Sequence, residues 1–220
     1  TGKSAAMLDP WSGRSGTTDF DDSVRLLLEA GETRMIRIFQ DRIADGQPWK
    51  DLETKSVDVP LEGSWEVRFI DGGPELPASY QSSELAPWTT REGDAYRSFS
   101  GTALYGLESD QGDDVPSRLS LGEVCHTARV RLNGIELGTC WAPPHQVETG
   151  AALKNGKNVL EVEVTNLAAN RIADLDRRGV PWKSFHEINF VNIDYKPFDA
   201  SRWEPLPSGL LGPVTIAPLR

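Results

Sequence analysis

Three segments of this chain alternate strictly between apolar and charged residues: Trp65-Glu-Val67-Arg-Phe69, Ala128-Arg-Val130-Arg-Leu132 and Leu160-Glu-Val162-Glu-Val164. A strand points successive side chains to opposite faces, so this period of two marks strands with one buried and one solvated face. Such strands belong to antiparallel sheets, because parallel sheets are covered on both faces and read as continuous apolar runs. The punctuation agrees. Asp71-Gly72-Gly73-Pro74, Asn133-Gly134 and Lys154-Asn155-Gly156-Lys157 separate the alternating runs. Asn-Gly is the strongest short hairpin signal, since a type I′ turn needs positive φ at both central residues. The pattern predicts an all-β fold, an antiparallel β-sandwich with Trp65, Val67, Phe69, Val130, Leu132, Leu160, Val162 and Val164 between its sheets.

With 220 residues the chain has room for one large domain or two small ones. Its net charge of −10 argues against nucleic acid, which needs a basic face. No apolar run approaches the roughly 20 residues of a membrane helix, so no membrane partner is expected. The chain opens at Thr1 with no signal-peptide pattern and reads as a mature product or an excised segment. Helix is scarce. Phe39–Leu52 is the best candidate, but Gly46 and Pro48 reduce it to a linker with at most a turn or two.

The first fifty-odd residues differ from the rest. Val24–Leu28 and Arg34–Phe39 read as a hairpin around Glu29-Ala-Gly-Glu32. Two strands alone are marginal in water, so this piece must pack on the main body or on something outside the chain. The division falls near Ser56: residues 1–55 form the hairpin segment and linker, residues 56–220 the sandwich. Cys125 and Cys140 flank the Asn133-Gly134 hairpin. With Leu132 facing Ile135, Cys140 faces Thr127 and Cys125 lies one diagonal step away. That is wider than a disulfide prefers, so two buried thiols are the favoured reading.

The stretch from Arg171 to Pro207 is the most unusual. It is long for a connection within a compact domain, and such loops are functional or disordered. Its Trp182, Phe185, Tyr195, Phe198 and Trp203 make it too aromatic for disorder. Planar aromatics beside polar side chains suit a ligand with apolar faces and hydroxyl edges, and a sugar is one. Trp182 and Trp203 are the stacking candidates. Arg171, Arg177 and Lys183, with Arg178, form a local basic cluster that could clamp a carboxylate. His186 and Tyr195 complete the candidate set. Each has a structural alternative: Asp174 and Asp176 could pair with the basic residues, and the aromatics could pin the loop to the sandwich. Trp141, ahead of Pro143-Pro144, reads as closing the end of its hairpin.

The order of motifs adds a resemblance. Gly63-Ser-Trp65-Glu-Val-Arg-Phe69 is followed by Leu85-Ala-Pro-Trp88 and by Ser98-Phe-Ser-Gly101-Thr-Ala-Leu-Tyr105. Leu121-Gly122-Glu-Val124, Ala128-Arg-Val-Arg-Leu-Asn133-Gly134, Leu137-Gly138 and Trp141-Ala-Pro-Pro144 come next. Gly156-Lys-Asn-Val-Leu-Glu-Val-Glu-Val-Thr-Asn166, Asn170-Arg171 and Ser208-Gly-Leu-Leu-Gly-Pro213 close the series. Together they resemble the galactose-binding-like jelly-roll domain of large glycoside hydrolases, most nearly the C-terminal domain of the family 106 α-L-rhamnosidases. The sugar-binding domain of the β-galactosidase/β-glucuronidase family is also similar. The resemblance covers residues 56–220. Leu8-Asp9-Pro10, Ser12-Gly13 and the run to Phe39 are similar to the tail of the β-domain that precedes this one. One departure is His145, where an aromatic often follows the two prolines.

What the resemblance implies is a sandwich without catalytic residues, attached to the catalytic domain of a parent enzyme in an extracellular or periplasmic polysaccharide-degrading system. The residues agree on catalysis. No pattern selects two carboxylates from the 33 acidic residues. No zinc-type spacing or G-x-S-x-G elbow is present either. No cofactor is required, although jelly rolls of this kind often hold a structural calcium between loops and hard oxygen ligands abound here. The reading is a non-catalytic carbohydrate-binding module for a rhamnose- or uronate-containing plant or algal polysaccharide or oligosaccharide. The alternative is an accessory domain with no ligand of its own.

Overall fold

The computed structural model describes residues 3–28, 30–43, 46–51, 54, 57–184 and 191–219. The alternating segments lie side by side in one six-stranded antiparallel sheet. It contains β5 (Trp65–Gly73), β6 (Tyr80–Ser82), β7 (Ser100–Gln111), β10 (Thr127–Leu132), β11 (Ile135–Cys140) and β13 (Gly156–Thr165), in the order β11-β10-β13-β7-β5-β6. Register carries the pattern across strands. Val67, Tyr105, Val162 and Val130 form one inward row, and Phe69, Ala103, Val164 and Ala128 form the next. All eight of these residues are buried, as are Trp65, Leu132 and Leu160. The charged partners face outward, where Glu163 accepts hydrogen bonds from Arg129 and Arg131.

The opposing sheet is shorter: β4 (Val59–Pro60), β8 (Ser117–Ser120), β12 (Gln146–Glu148) and β15 (Thr215–Pro218), in the order β12-β8-β15-β4. A two-stranded ribbon of β9 (Glu123–Cys125) and β14 (Gly209–Gly212) adds Val124 and Leu210. Leu119, Ile216, Val124 and Leu210 join the inward rows of the large sheet in one core, which makes the molecule an antiparallel β-sandwich. Phe69 sits edge-on to Trp88 and Phe99 at 5.4 and 5.0 Å between ring centres, geometry that aromatic rings favour.

Asn133 and Gly134 both have positive φ, as the type I′ turn requires. Leu132 pairs with Ile135 as the sequence suggests, but a bulge between Val130 and Arg131 shifts the rest of the hairpin. Cys140 therefore faces Ala128 rather than Thr127. Cys125 belongs to the ribbon, and both cysteines are free thiols.

The N-terminal region departs from the expected hairpin. β1 (Ser4–Leu8) is the centre of a three-stranded antiparallel sheet, flanked by β2 (Ser15–Asp19) and β3 (Met35–Phe39). Val24–Leu28 forms no strand. The physical reason is patterning. The Leu26-Leu-Leu28 run does not alternate, whereas Ala5 and Met7 of β1 alternate with Ala6 and give β3 a buried face to pair with. Glu29 of the expected turn and Ser56 of the expected division lie outside the described residues. Phe39–Leu52 contains no helix among its described residues. Helix appears instead as α1 (Asp94–Ser98) and α2 (Ala169–Arg177). The second occupies the start of what reads as a loop. Only Asn170 and Ala173 are buried on it, so it carries little apolar stripe. Asp174 pairs with Arg171 at 2.8 Å and Arg178 at 3.0 Å, one turn to either side, and the Asn170 amide group ties the helix to the Leu206 backbone.

Candidate functional site

Part of the set singled out in the long stretch, Trp182, Lys183 and Trp203, gathers around Asp176, near the end of α2. Its Oδ1 accepts from Trp182 Nε1 at 2.7 Å and Lys183 Nζ at 3.2 Å, and its Oδ2 accepts from the Ala200 amide at 2.7 Å. Lys183 also donates to the Phe198 carbonyl at 2.7 Å. Phe198 meets Trp182 and Trp203 edge-on, at 6.1 and 5.6 Å. Burial alone would raise the Asp176 carboxyl, but hydrogen bonds from Ala200, Trp182 and Lys183 outweigh it and hold the pKa below its ordinary value. The structure thus brings Trp182, Lys183 and Trp203 together through Phe198 and Asp176. Arg171 is spent on Asp174, and Arg177 is exposed at the helix end. Tyr195 stands apart in a turn, 77 % exposed with φ of 58°. His186 lies outside the described residues.

A second constellation lies where the N-terminal sheet meets the sandwich. After β1, the Asp9 carboxylate accepts from the Trp11 amide at 3.0 Å and the Ser12 hydroxyl at 2.8 Å. Its carbonyl accepts from Gly13, whose φ is 72°. This turn fixes Trp11. On the sandwich side, Pro143 and Pro144 end the pairing after β11 and leave Trp141 at the rim. The two indoles pack at 4.3 Å between ring centres, tilted by 46°. Trp141 remains 59 % exposed. The Trp11 Nε1–H is buried with no acceptor among the described residues, a rare state for a native donor.

These rings border a cleft of about 350 Å³, within the range of small-ligand sites. Ion pairs ring it. Arg14 meets Glu148 at 3.0 Å across the junction, and Arg34 meets Glu32 at 3.3 Å and Asp9 at 3.6 Å. Arg14 and Arg34 also lie over the Trp49 ring, at 4.7 and 5.6 Å. The arrangement offers an exposed aromatic face beside preorganised donors and acceptors, chemistry that grips a hydroxylated ring. The sequence reading missed it: Trp141 reads as a hairpin closure and Trp11 carries no mark of its own. The Asp9-Pro-Trp11 turn was the one available signal. His145, the departure in the resemblance, is buried with Nδ1 3.3 Å from the Gly122 carbonyl, and burial lowers its pKa. Among the described residues no group of three or more His, Cys, Asp or Glu is arranged to hold a metal ion, and no helix is long and apolar enough to cross a membrane.

No protein-family model matches the chain. It is 31 % identical, over a 222-residue alignment, to a Formosa agariphila protein named "Putative beta-glucuronidase", covering 87 % of this chain and 19 % of that protein. Among solved structures it is similar to the rhamnosidase of Novosphingobium sp. PP1Y, with a TM-score of 0.66 and 24 % identity, covering 99 % of this chain and 20 % of that one. A Faecalibacterium prausnitzii β-glucuronidase aligns with a TM-score of 0.48 and 16 % identity, over 74 % of this chain and 31 % of its own. The chain therefore spans about a fifth of the length of the first two relatives. The rhamnosidase likeness is one of fold, and it takes in the N-terminal sheet as well as the sandwich.

Proposed function

We propose that this chain is a non-catalytic accessory β-sandwich of a larger glycoside hydrolase, of the kind that closes the family 106 rhamnosidases, and that it binds carbohydrate. The observation that carries the reading is the Trp11–Trp141 cleft, on a fold shared with a rhamnosidase across 99 % of the chain. An exposed indole supplies a flat apolar surface for a sugar ring, and the surrounding ion pairs supply polar edges. Asp9, Glu32 and Glu148 each have an arginine partner, which suits holding hydroxyls better than donating a proton to a glycosidic oxygen. The ligand class is a plant or algal glycan containing rhamnose or uronic acid, and the setting is an exported degradation system. The Asp176 cluster pins its loop, with Trp203 left as its exposed member.

A glycan array tests the reading. The wild type should retain rhamnose- or uronate-bearing plant or algal glycans weakly, and Trp141→Ala should lose them while melting unchanged. A second reading, an accessory domain without a ligand, is favoured by one observation. The β3 edge strand exposes apolar side chains on both faces, Met35 at 59 %, Ile36 at 39 % and Ile38 at 53 %. Such an edge suits packing against the remainder of a larger enzyme. Absence of binding to any glycan on a broad array would select this second reading.

A further inference from the structure

We infer that the Trp11–Trp141 cleft takes an uncharged sugar residue and discriminates against a uronate. The inference rests on the carbohydrate-binding reading and narrows it. An arginine fork is the usual means of gripping a sugar carboxylate, and three line this cleft. Each already holds a protein carboxylate: Arg14 holds Glu148 at 3.0 Å, Arg34 holds Glu32 at 3.3 Å, and Arg118 holds Asp58 at 3.6 Å.

The best-protected pair cannot be exchanged cheaply. The side chains of Arg34 and Asp9, 3.6 Å apart, are only 10 % and 12 % exposed. Displacing Asp9 with a ligand carboxylate would leave a buried charge without its partner, the costly outcome for an internal pair. Adding a carboxylate without displacement meets the local balance. Asp9, Glu32, Asp51 and Glu148 line the cleft against Arg14, Arg34 and Arg118. The excess is one negative charge, in a chain of net charge −10. Like charges a few ångströms apart repel, and partial burial strengthens the effect.

A neutral sugar meets neither obstacle. Ion-paired guanidinium and carboxylate groups keep hydrogen-bonding capacity beyond the contact that joins them. They are held in place before the ligand arrives, so little ordering cost falls on binding. The apolar face of the ring rests on the exposed indole of Trp141.

The test is a pair of calorimetric titrations of the full chain at neutral pH, with methyl α-L-rhamnopyranoside and with methyl β-D-glucuronide. The rhamnoside should bind, with the glucuronide weaker by about tenfold or more, equivalent to about 1.4 kcal/mol. Glu148→Gln removes the carboxylate that occupies Arg14, at a position whose side chain is 44 % exposed. It should raise glucuronide affinity several-fold, and the gain should fade with added salt. Glucuronide affinity equal to or above that of the rhamnoside in the wild type would overturn this inference and leave carbohydrate binding standing. Binding of neither glycoside would overturn the carbohydrate reading, and this inference with it.

Discussion

Removing the Asp176 carboxylate should unpin the long loop, and its cost can be worked from the contacts. Asp176→Ala strands the Ala200 amide and the Trp182 indole N–H, each 2.7 Å from a carboxylate oxygen now. Lys183 keeps the Phe198 carbonyl. A buried donor left without a partner costs about 1–3 kcal/mol. Ala200 is fully buried and belongs at the upper end. Trp182 is half-buried, so water can reach part of its indole, which places it at the lower end. The sum is about 4 kcal/mol. Urea denaturation followed by tryptophan emission measures it, and hydrogen exchange at the Ala200 amide reports whether the loop opens on its own. The pH dependence has a defined sign. Because the folded pKa is lowered, the stabilisation is fully present above the ordinary carboxyl value of about 4 and is lost as pH falls through the folded value. Asp176→Asn should remove that part of the acid dependence. A loss under about 0.5 kcal/mol in Asp176→Ala, the range of neutral surface substitutions, with Ala200 still protected, would refute the pinning role.

Three further outcomes are expected. Phe69→Ala, which empties a site bordered by Trp88, Phe99, Tyr80 and Tyr96, should cost about 3–5 kcal/mol in chemical denaturation. Gly122→Ala should prevent stable folding at 37 °C, read as loss of soluble protein. The residue has φ of 64°, and an added Cβ would lie 2.3 Å from the Gly212 carbonyl carbon. In a thiol titration of the native protein, Cys125 should react before Cys140, which is buried and whose pKa burial raises to about 11. Unfolding should make both react at once.

The sandwich was legible because one-sided burial forces a period of two, and Trp65, Val67 and Phe69 show it without interruption. The bulge at Val130/Arg131 was not legible, since an extra residue in one strand leaves the apolar alternation of its partner intact. The N-terminal sheet was only partly legible. Met35–Phe39 read as a strand, but its true partner, Ser4–Leu8, opens with the small residues Ser4-Ala-Ala6, which carry a weak strand signal. Helix α2 was hidden because it buries only Asn170 and Ala173 and so shows little apolar stripe in the sequence. The site divides in the same way. The aromatic and basic character of the long loop was visible, but composition cannot tell whether Trp182 and Lys183 spend their polar groups on a neighbour. Trp11 and Trp141 meet only because the N-terminal sheet folds back against the end of β11, a long-range contact that leaves no local pattern.

The central claim is that the cleft between the N-terminal sheet and the sandwich, rather than the Asp176 loop, receives the sugar. The chain has seven tryptophans, so seven indole N–H signals can be followed in a nitrogen–proton correlation spectrum. Single Trp→Phe variants would assign them. Titration with methyl α-L-rhamnopyranoside should shift the Trp11 and Trp141 signals in a saturable manner and leave those of Trp182 and Trp203 in place. Saturable shifts at Trp182 and Trp203, with Trp11 and Trp141 unmoved, would contradict the account.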